Sequence, residues 1–172
     1  PNPCLPVLPK LPPHRAMIRP AQPQDLPQLA RQVAELAAHH EDQATVSQAT
    51  LARDLFGPHP WLQILVSEAD AQLQGYLALT QLARLQWGQR GMDIHHLYVA
   101  EPYRRLGLGR ALIGAAVQTA RAQDCSYLTV TALETNAAAQ NFYRHQGFHH
   151  APPSGMRFAF DLTSAPDLTS AL

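Results

Sequence analysis

Glu101-Pro102-Tyr103-Arg104-Arg105-Leu106-Gly107-Leu108-Gly109-Arg110 follows an apolar run, Ile94 to Val99, and opens an apolar-striped stretch of helical spacing from about Gly107 to Ala122. The decamer therefore joins a strand to a helix start. Unpaired N–H groups and the positive end of the helix dipole gather at such a start, which suits an anion such as a pyrophosphate. Glycine at 107 and 109 lets backbone approach that ligand, and Arg104, Arg105 and Arg110 surround it with positive charge. An ordinary turn with a solvated basic patch accounts for two glycines alone. It does not account for the strand before, the prolyl approach, three arginines and the helix after. A dinucleotide site needs further glycines and an acid about 20 residues on at a second strand end, which this chain does not supply.

Outward from this junction, strand and helix periods alternate. Asp25 with Leu26, Leu29, Val33 and Leu36 predicts a helix from about Asp25 to Ala38, and Ser47 caps a short helix from Gln48 to Leu55 that Gly57-Pro58 ends. Strands are expected from Ile18, near Leu62 to Ser67, Leu73 to Thr80 and Asp93 to Val99, with a polar loop from Leu82 to Met92 between the last two. A strand at Tyr127 to Thr131, a helix at about Asn136 to His145 and a strand near Met156 to Asp161 complete a mixed α/β order. The domain is expected to span 17–162, between a Pro-rich N-terminal tail, 1–16, and a low-complexity C-terminal tail, 163–172.

A length of 172 residues with 46% hydrophobic content suits one domain with its own core. Thirteen basic and thirteen acidic residues cancel, so neither nucleic acid nor an anionic membrane is an expected partner. The two cysteines, Cys4 and Cys125, stand in no metal or redox spacing, and no apolar run approaches the roughly 20 residues of a membrane span. A cytoplasmic location is the expectation.

A second block reads Asn136-Ala137-Ala138-Ala139-Gln140-Asn141-Phe142-Tyr143-Arg144-His145-Gln146-Gly147-Phe148. Asn136 suits a helix cap, the alanines a helix interior, and Gly147 a helix stop. The competing reading makes Phe142 and Tyr143 core aromatics of an amphipathic helix, and it suits Phe142.

Together the two blocks resemble the GNAT superfamily of N-acetyltransferases. Arg104, Gly107 and Gly109 match its coenzyme A signature, Arg/Gln-x-x-Gly-x-Gly/Ala, and the second block is similar to its helix ending in Tyr-x-x-x-Gly-Phe. The resemblance implies a central mixed, mostly antiparallel twisted sheet flanked by about four helices, with acetyl-CoA as cosubstrate and no metal. It assigns cofactor contacts to Arg104, Arg105, Leu106, Gly107, Leu108, Gly109 and Arg110, to Asn136 and Ala139, and to the strand end Leu97, Tyr98 and Val99. A backbone N–H there, Val99 first, faces the thioester oxygen, and Tyr143 is the general acid that protonates the departing thiolate.

Leu55-Phe56-Gly57-Pro58-His59-Pro60-Trp61-Leu62-Gln63-Ile64-Leu65-Val66-Ser67-Glu68 resembles the corresponding block of the diamine (spermidine/spermine) acetyltransferases, and the likeness extends with gaps from Met17 to Phe148. That branch implies a homodimer, with Met156 to Asp161 at its interface. It carries paired acids on the strand before the phosphate loop, where this chain has His95 and His96. Two imidazoles do not attract a polycation, so a smaller or amino-acid-like amine, as in the thialysine-type relatives, becomes comparable to a diamine or polyamine as the acceptor. Direct attack in a ternary complex is the expected mechanism.

Strand alternation puts His95 on the face of Leu97 and Val99, lining the acceptor pocket as the candidate base, and His96 on the other face. A histidine merely satisfied within the sheet is the competing reading of His95. Glu41 and Asp42, after the first helix, are the next candidates for base or acceptor contact, and Trp87 in the loop 82–92 would close over a small acceptor. The adjacent histidine pairs lack the spacing of a metal site. Two other functions remain open, a protein or peptide N-acetyltransferase and a coenzyme A-binding regulatory module without catalysis.

Overall fold

Ile64, Val66, Tyr76, Ala78 and Tyr98 are buried on one face of a sheet and Leu65, Leu77, Leu79, Met92 and Ile94 on the other, so both faces are covered. The computed structural model describes residues 16–151. The sheet is built from β1 (Met17–Pro20), β2 (Gln63–Ala69), β3 (Gln72–Arg84), β4 (Gln89–Val99) and β5 (Cys125–Val130), in that spatial order. Successive pairs are antiparallel up to β4, and β5 joins β4 in parallel. The described helices are α1 (Leu26–His39), α2 (Gln48–Phe56), α3 (Leu108–Ala122) and α4 (Ala137–His145). One compact unit ends at Asn136, and a second begins at Ala137 with α4. The mixed α/β fold with a mostly antiparallel sheet is the one expected.

In the first unit, Leu29 and Leu36 of α1 and Leu51 and Leu55 of α2 form one cluster with Ile64, Val66, Leu73, Tyr76, Ala78 and Tyr98. Helix α3 buries Leu112, Ile113, Ala116 and Ala120 and contacts β2 to β5. Its short residues let the helix lie close to the sheet. Ser47 caps α2 as expected, accepting from the Thr50 N–H at 3.1 Å while the Thr50 hydroxyl accepts from the Ser47 N–H at 3.0 Å.

Arg19 of β1 ties the sheet to the entry of α1. Its guanidinium donates to both oxygens of Asp25, at 2.7 and 2.9 Å, and to Glu68 of β2 at 2.7 Å. Asp25 is buried and also accepts from the Gln22 N–H at 2.7 Å. The Arg19 hydrogen bonds hold its carboxyl below the usual range. Removing one partner of a buried pair costs about 3 kcal/mol, so Asp25→Asn should lower Tm by roughly 6 to 12 °C at pH 7. Because the folded pKa is depressed, this contribution is present above the unfolded value of about 3.9 and disappears as pH falls through the folded one. Urea melts of the two proteins should therefore converge in acid.

The strands correct the expected loop 82–92. Gln81↔Met92, Leu82↔Gly91, Ala83↔Arg90 and Arg84↔Gln89 are paired, so the connection shrinks to the turn 85–88, closed by Gly88 at φ 59°. This end of the hairpin is largely solvated, so it lacks the alternating apolar pattern that marks a half-buried strand. The strand expected at Met156 to Asp161 and most of both tails lie outside the described residues. No helix among the described residues is long and apolar enough to cross a membrane.

Candidate functional site

β5 pairs with β4 only as far as Ile94↔Val130, whereas β3 follows β4 to Val99. Among the described residues, the edge of β4 from His95 to Val99 is therefore unpaired on the β5 side. The Ala100 N–H donates to the Gln74 carbonyl on β3 at 2.9 Å, so the peptide groups of Val99, one residue earlier, point away from β3 toward this open edge. Arg104 Nε, donating to the Val99 carbonyl at 2.9 Å, agrees with that direction. Alternation puts Leu97 with Val99 and turns Tyr98 toward β3, where a Cβ at Gly75 would strike the Tyr98 carbonyl oxygen.

The chain then passes through a 3-10 turn, Glu101–Tyr103, with Arg105 at φ 63° and Gly107 at φ 82°. The first helical bond of α3 runs from the Ala111 N–H to the Gly107 carbonyl at 3.0 Å, so the N–H groups of Leu108, Gly109 and Arg110 have no partner within the helix. Apart from its chain neighbours, a Cβ at Gly107 would meet no atom of the described residues within 4 Å. Glycine is there because φ is left-handed, and the space beside it is open. Arg105, Leu106 and Arg110 are exposed around this start, and Arg104 is exposed while reaching back to Val99.

Strand alternation fails at the histidines. Ala78 pairs with His96 and Leu79 with Ile94, so His95 is the extra residue of a β-bulge. Ile94 and Leu97 face α3, and the two residues between them no longer oppose each other. The His95 and His96 rings stack instead, with centroids 4.6 Å apart and planes at 11°. The expectation that His95 shares the face of Leu97 and Val99 is therefore corrected, whereas His96, opposite Ala78, lies on the other face as expected. His95 is exposed, and His96 Nδ1 lies 3.0 Å from the hydroxyl of the fully buried Tyr76. Burial, with the charges of His95 and His40 nearby, pushes His96 down to about 4. His40, the residue after α1, thus stands near the pair.

Sequence reasoning missed two aromatic partners. Tyr98 donates its hydroxyl to Glu35 of α1 at 2.6 Å, and burial with that carboxylate pushes the phenol up to about 12. Tyr76 lies against Tyr98 with ring centroids 6.0 Å apart. Both read as ordinary strand aromatics, and only the register reveals their partners. Between α1 and the β4–α3 loop lies a groove of about 730 Å³ lined by Glu35, Ala38, His39, Tyr98, Ala100, Glu101, Pro102 and Arg104.

Glu41, at φ 58°, and Asp42 follow His40 and are exposed. Trp87 sits at the hairpin tip, 63% exposed, with the Arg84 guanidinium 5.6 Å from its ring centroid. Eight residues of strand separate it from His95, roughly 26 Å, so the structure does not bring the two together. Among the described residues no group of three or more His, Cys, Asp or Glu forms a metal site.

In the second unit, α4 ends as the glycine predicts. Gly147 takes φ 91°, its N–H donates to the Arg144 carbonyl at 3.0 Å and the Phe148 N–H to the Tyr143 carbonyl at 3.1 Å, with the rings of Tyr143 and Phe148 edge to face. This double closure fixes the last turn, which carries Tyr143. Ala139 lies in the first turn of α4, and Asn136, the last residue of the first unit, donates its N–H to the Leu133 carbonyl at 2.9 Å.

Comparison with known proteins agrees with this architecture. The bovine (Bos taurus) thialysine N-epsilon-acetyltransferase is 30% identical over 140 residues, 76% of this chain and 82% of that protein. The human (Homo sapiens) spermidine/spermine N(1)-acetyltransferase-like protein 1 is 28% identical over 138 residues, 76% of this chain but 20% of that protein. Among solved structures, an aminoglycoside acetyltransferase from an uncultured soil metagenomic sample superposes with a TM-score of 0.70 at 20% identity, over 86% of this chain and 96% of that one, and so shares the fold. The profile of the Acetyltransferase (GNAT) family matches residues 28–148, and with the open β4 edge running into a glycine-led helix start the chain belongs to that family of N-acetyltransferases.

Proposed function

We propose that this chain transfers the acetyl group of acetyl-CoA to a small primary amine by direct attack in a ternary complex. The observation that carries the reading is the open edge of β4, with Val99 directed into it and the bare N–H groups of α3 beginning nine residues later. These residues suit coenzyme A. The helix start offers three N–H donors and the open space over Gly107 to a pyrophosphate, while Arg104, Arg105 and Arg110 supply charge. Leu97, Tyr98 and Val99 offer a strand edge to the pantetheine amides, and Asn136 and Ala139 further contacts to that arm.

Acetyl-CoA supplies an activated acyl group as a thioester. The Val99 N–H stabilises charge developing on the carbonyl oxygen, because a fixed dipole in place before the reaction needs no reorganisation. His95, exposed at the bulge where β5 leaves β4, takes the acceptor's ammonium proton and passes it to solvent. Tyr143 delivers its hydroxyl proton to the leaving sulfur as the C–N bond replaces the C–S bond, and recovers one as the amide nitrogen sheds its second proton. The products are the acetamide, coenzyme A thiol and one released proton.

The acceptor reading rests on the groove and on the relatives. A volume of about 730 Å³ is that of a small-molecule site, and Glu35 and Glu101 supply carboxylates for an ammonium. Thialysine, named in the bovine relative, is an amino acid with a side-chain amine. The histidine bulge offers no acid pair to a long polycation. A thiol-release assay should thus give higher kcat/KM for amino-acid-like monoamines than for spermine, and spermine as the best acceptor would contradict this reading. His95→Ala should remove most of the turnover and a limb of the pH profile near neutrality; an unchanged profile would move the base to Glu41 or Asp42.

A further inference from the structure

The Tyr76 hydroxyl meets His96 and His96 stacks on His95, yet the acetyl-transfer roles above leave Tyr76 and His96 without a part. Tyr76 has a relative exposure of 0%, and its hydroxyl lies 3.0 Å from His96 Nδ1. A buried phenol left without an acceptor for its O–H loses the hydrogen bond it had in water, so the hydroxyl donates and Nδ1 accepts. The ring proton of neutral His96 then resides on Nε2. Burial pushes the Tyr76 phenol above its ordinary value, so it remains a donor throughout the physiological range. The other titratable groups around His96 are His95 on its own strand, His40 from the end of α1, and Tyr98 beside Tyr76.

Stacking makes the charge of His96 matter to His95. At 4.6 Å between centroids a second imidazolium would repel a proton arriving on His95, whereas a neutral ring offers its π face to the cation. The bulge is what allows the stack, since regular alternation would have sent the two rings to opposite faces. We propose that Tyr76, by holding His96 as the neutral Nε2–H tautomer, fixes His95 in the stack and keeps it able to accept the acceptor's proton. Tyr76 and His96 are thus positioning residues for His95. The inference rests on the role given to His95 above. Proton flow stays balanced: the ammonium proton moves to His95 and on to solvent, and neither Tyr76 nor His96 changes its proton count.

Tyr76→Phe removes only the hydroxyl and keeps the buried ring. Long-range ¹H–¹⁵N spectra of the imidazoles should show His96 as a single Nε2–H tautomer in the parent protein and as a tautomer mixture in the variant. The kcat for the best amine should fall on the order of tenfold, since misplacing a catalytic group by about 1 Å can cost about a hundredfold. The neutral limb should shift, while acetyl-CoA affinity stays the same. His96→Asn is the second variant. Its amide oxygen can satisfy Tyr76 but gives His95 no ring, so turnover and limb should change as in Tyr76→Phe. An unchanged His96 tautomer in Tyr76→Phe, or an unchanged limb in either folded and active variant, overturns the inference. A parent protein that acetylates no amine would instead remove the function assigned to His95, a result these variants cannot mimic.

Discussion

Gly107→Val is expected to abolish measurable acetyl-CoA binding, a loss of at least about a hundredfold in Kd, or about 2.7 kcal/mol, while the fold persists. Two features of the site give this result. The residue sits at φ 82°, where a β-branched side chain is strained by about 1 to 3 kcal/mol, so the helix start either carries that strain or shifts its N–H groups. The side chain would also occupy the open space in which a pyrophosphate must meet those donors. Apart from its chain neighbours, no atom of the described residues lies within 4 Å of the added Cβ, so the core is untouched and the thermal transition should remain cooperative. Calorimetry on the parent, Gly107→Ala and Gly107→Val should give a graded loss. Unchanged affinity in the valine variant would remove the basis for placing the pyrophosphate at this helix.

Tyr143→Phe should lower kcat by about a hundredfold or more, with acetyl-CoA affinity nearly unchanged. The hydroxyl is what the substitution removes. The ring, which meets Phe148 edge to face in the Schellman closure of α4, remains, so the helix end keeps its form. A group that acts only as bonds change affects kcat and kcat/KM together and leaves binding alone. A variant that keeps most of its turnover would assign protonation of the thiolate to water.

The fold was legible where burial imposes a period. Leu26, Leu29, Val33 and Leu36 disclosed α1, Ser47 and Gly57-Pro58 disclosed the two ends of α2, and Gly107 and Gly147 marked a helix start and a helix end because both take positive φ. The hairpin end, Leu82 to Met92, was misread because solvent on this ribbon erases the alternating pattern. The bulge at His95 was invisible for a different reason. One inserted residue leaves no mark in composition, yet it breaks the parity of the strand on either side of it, and so a reading by alternation put His95 on the face of Leu97 and Val99, although it placed His96 correctly on the other. The partners of Tyr76 and Tyr98 depended on the same register and on α1 lying across β4. The phosphate loop is local in sequence, and its motif could be read directly. The acceptor side is assembled from β3, β4 and α1, so sequence could name its histidines but not their neighbours.

The central claim is amine-dependent release of coenzyme A. Incubating the protein with acetyl-CoA and a panel spanning lysine-like amino acids, simple diamines, spermine and a basic peptide, and reading thiol and acetylated product together by mass spectrometry, tests it in one measurement. The account predicts one thiol for each acetylated amine, fastest with a small amino-acid-like amine. Tight acetyl-CoA binding with no product from any member of the panel would contradict it and leave a coenzyme A-binding module without catalysis.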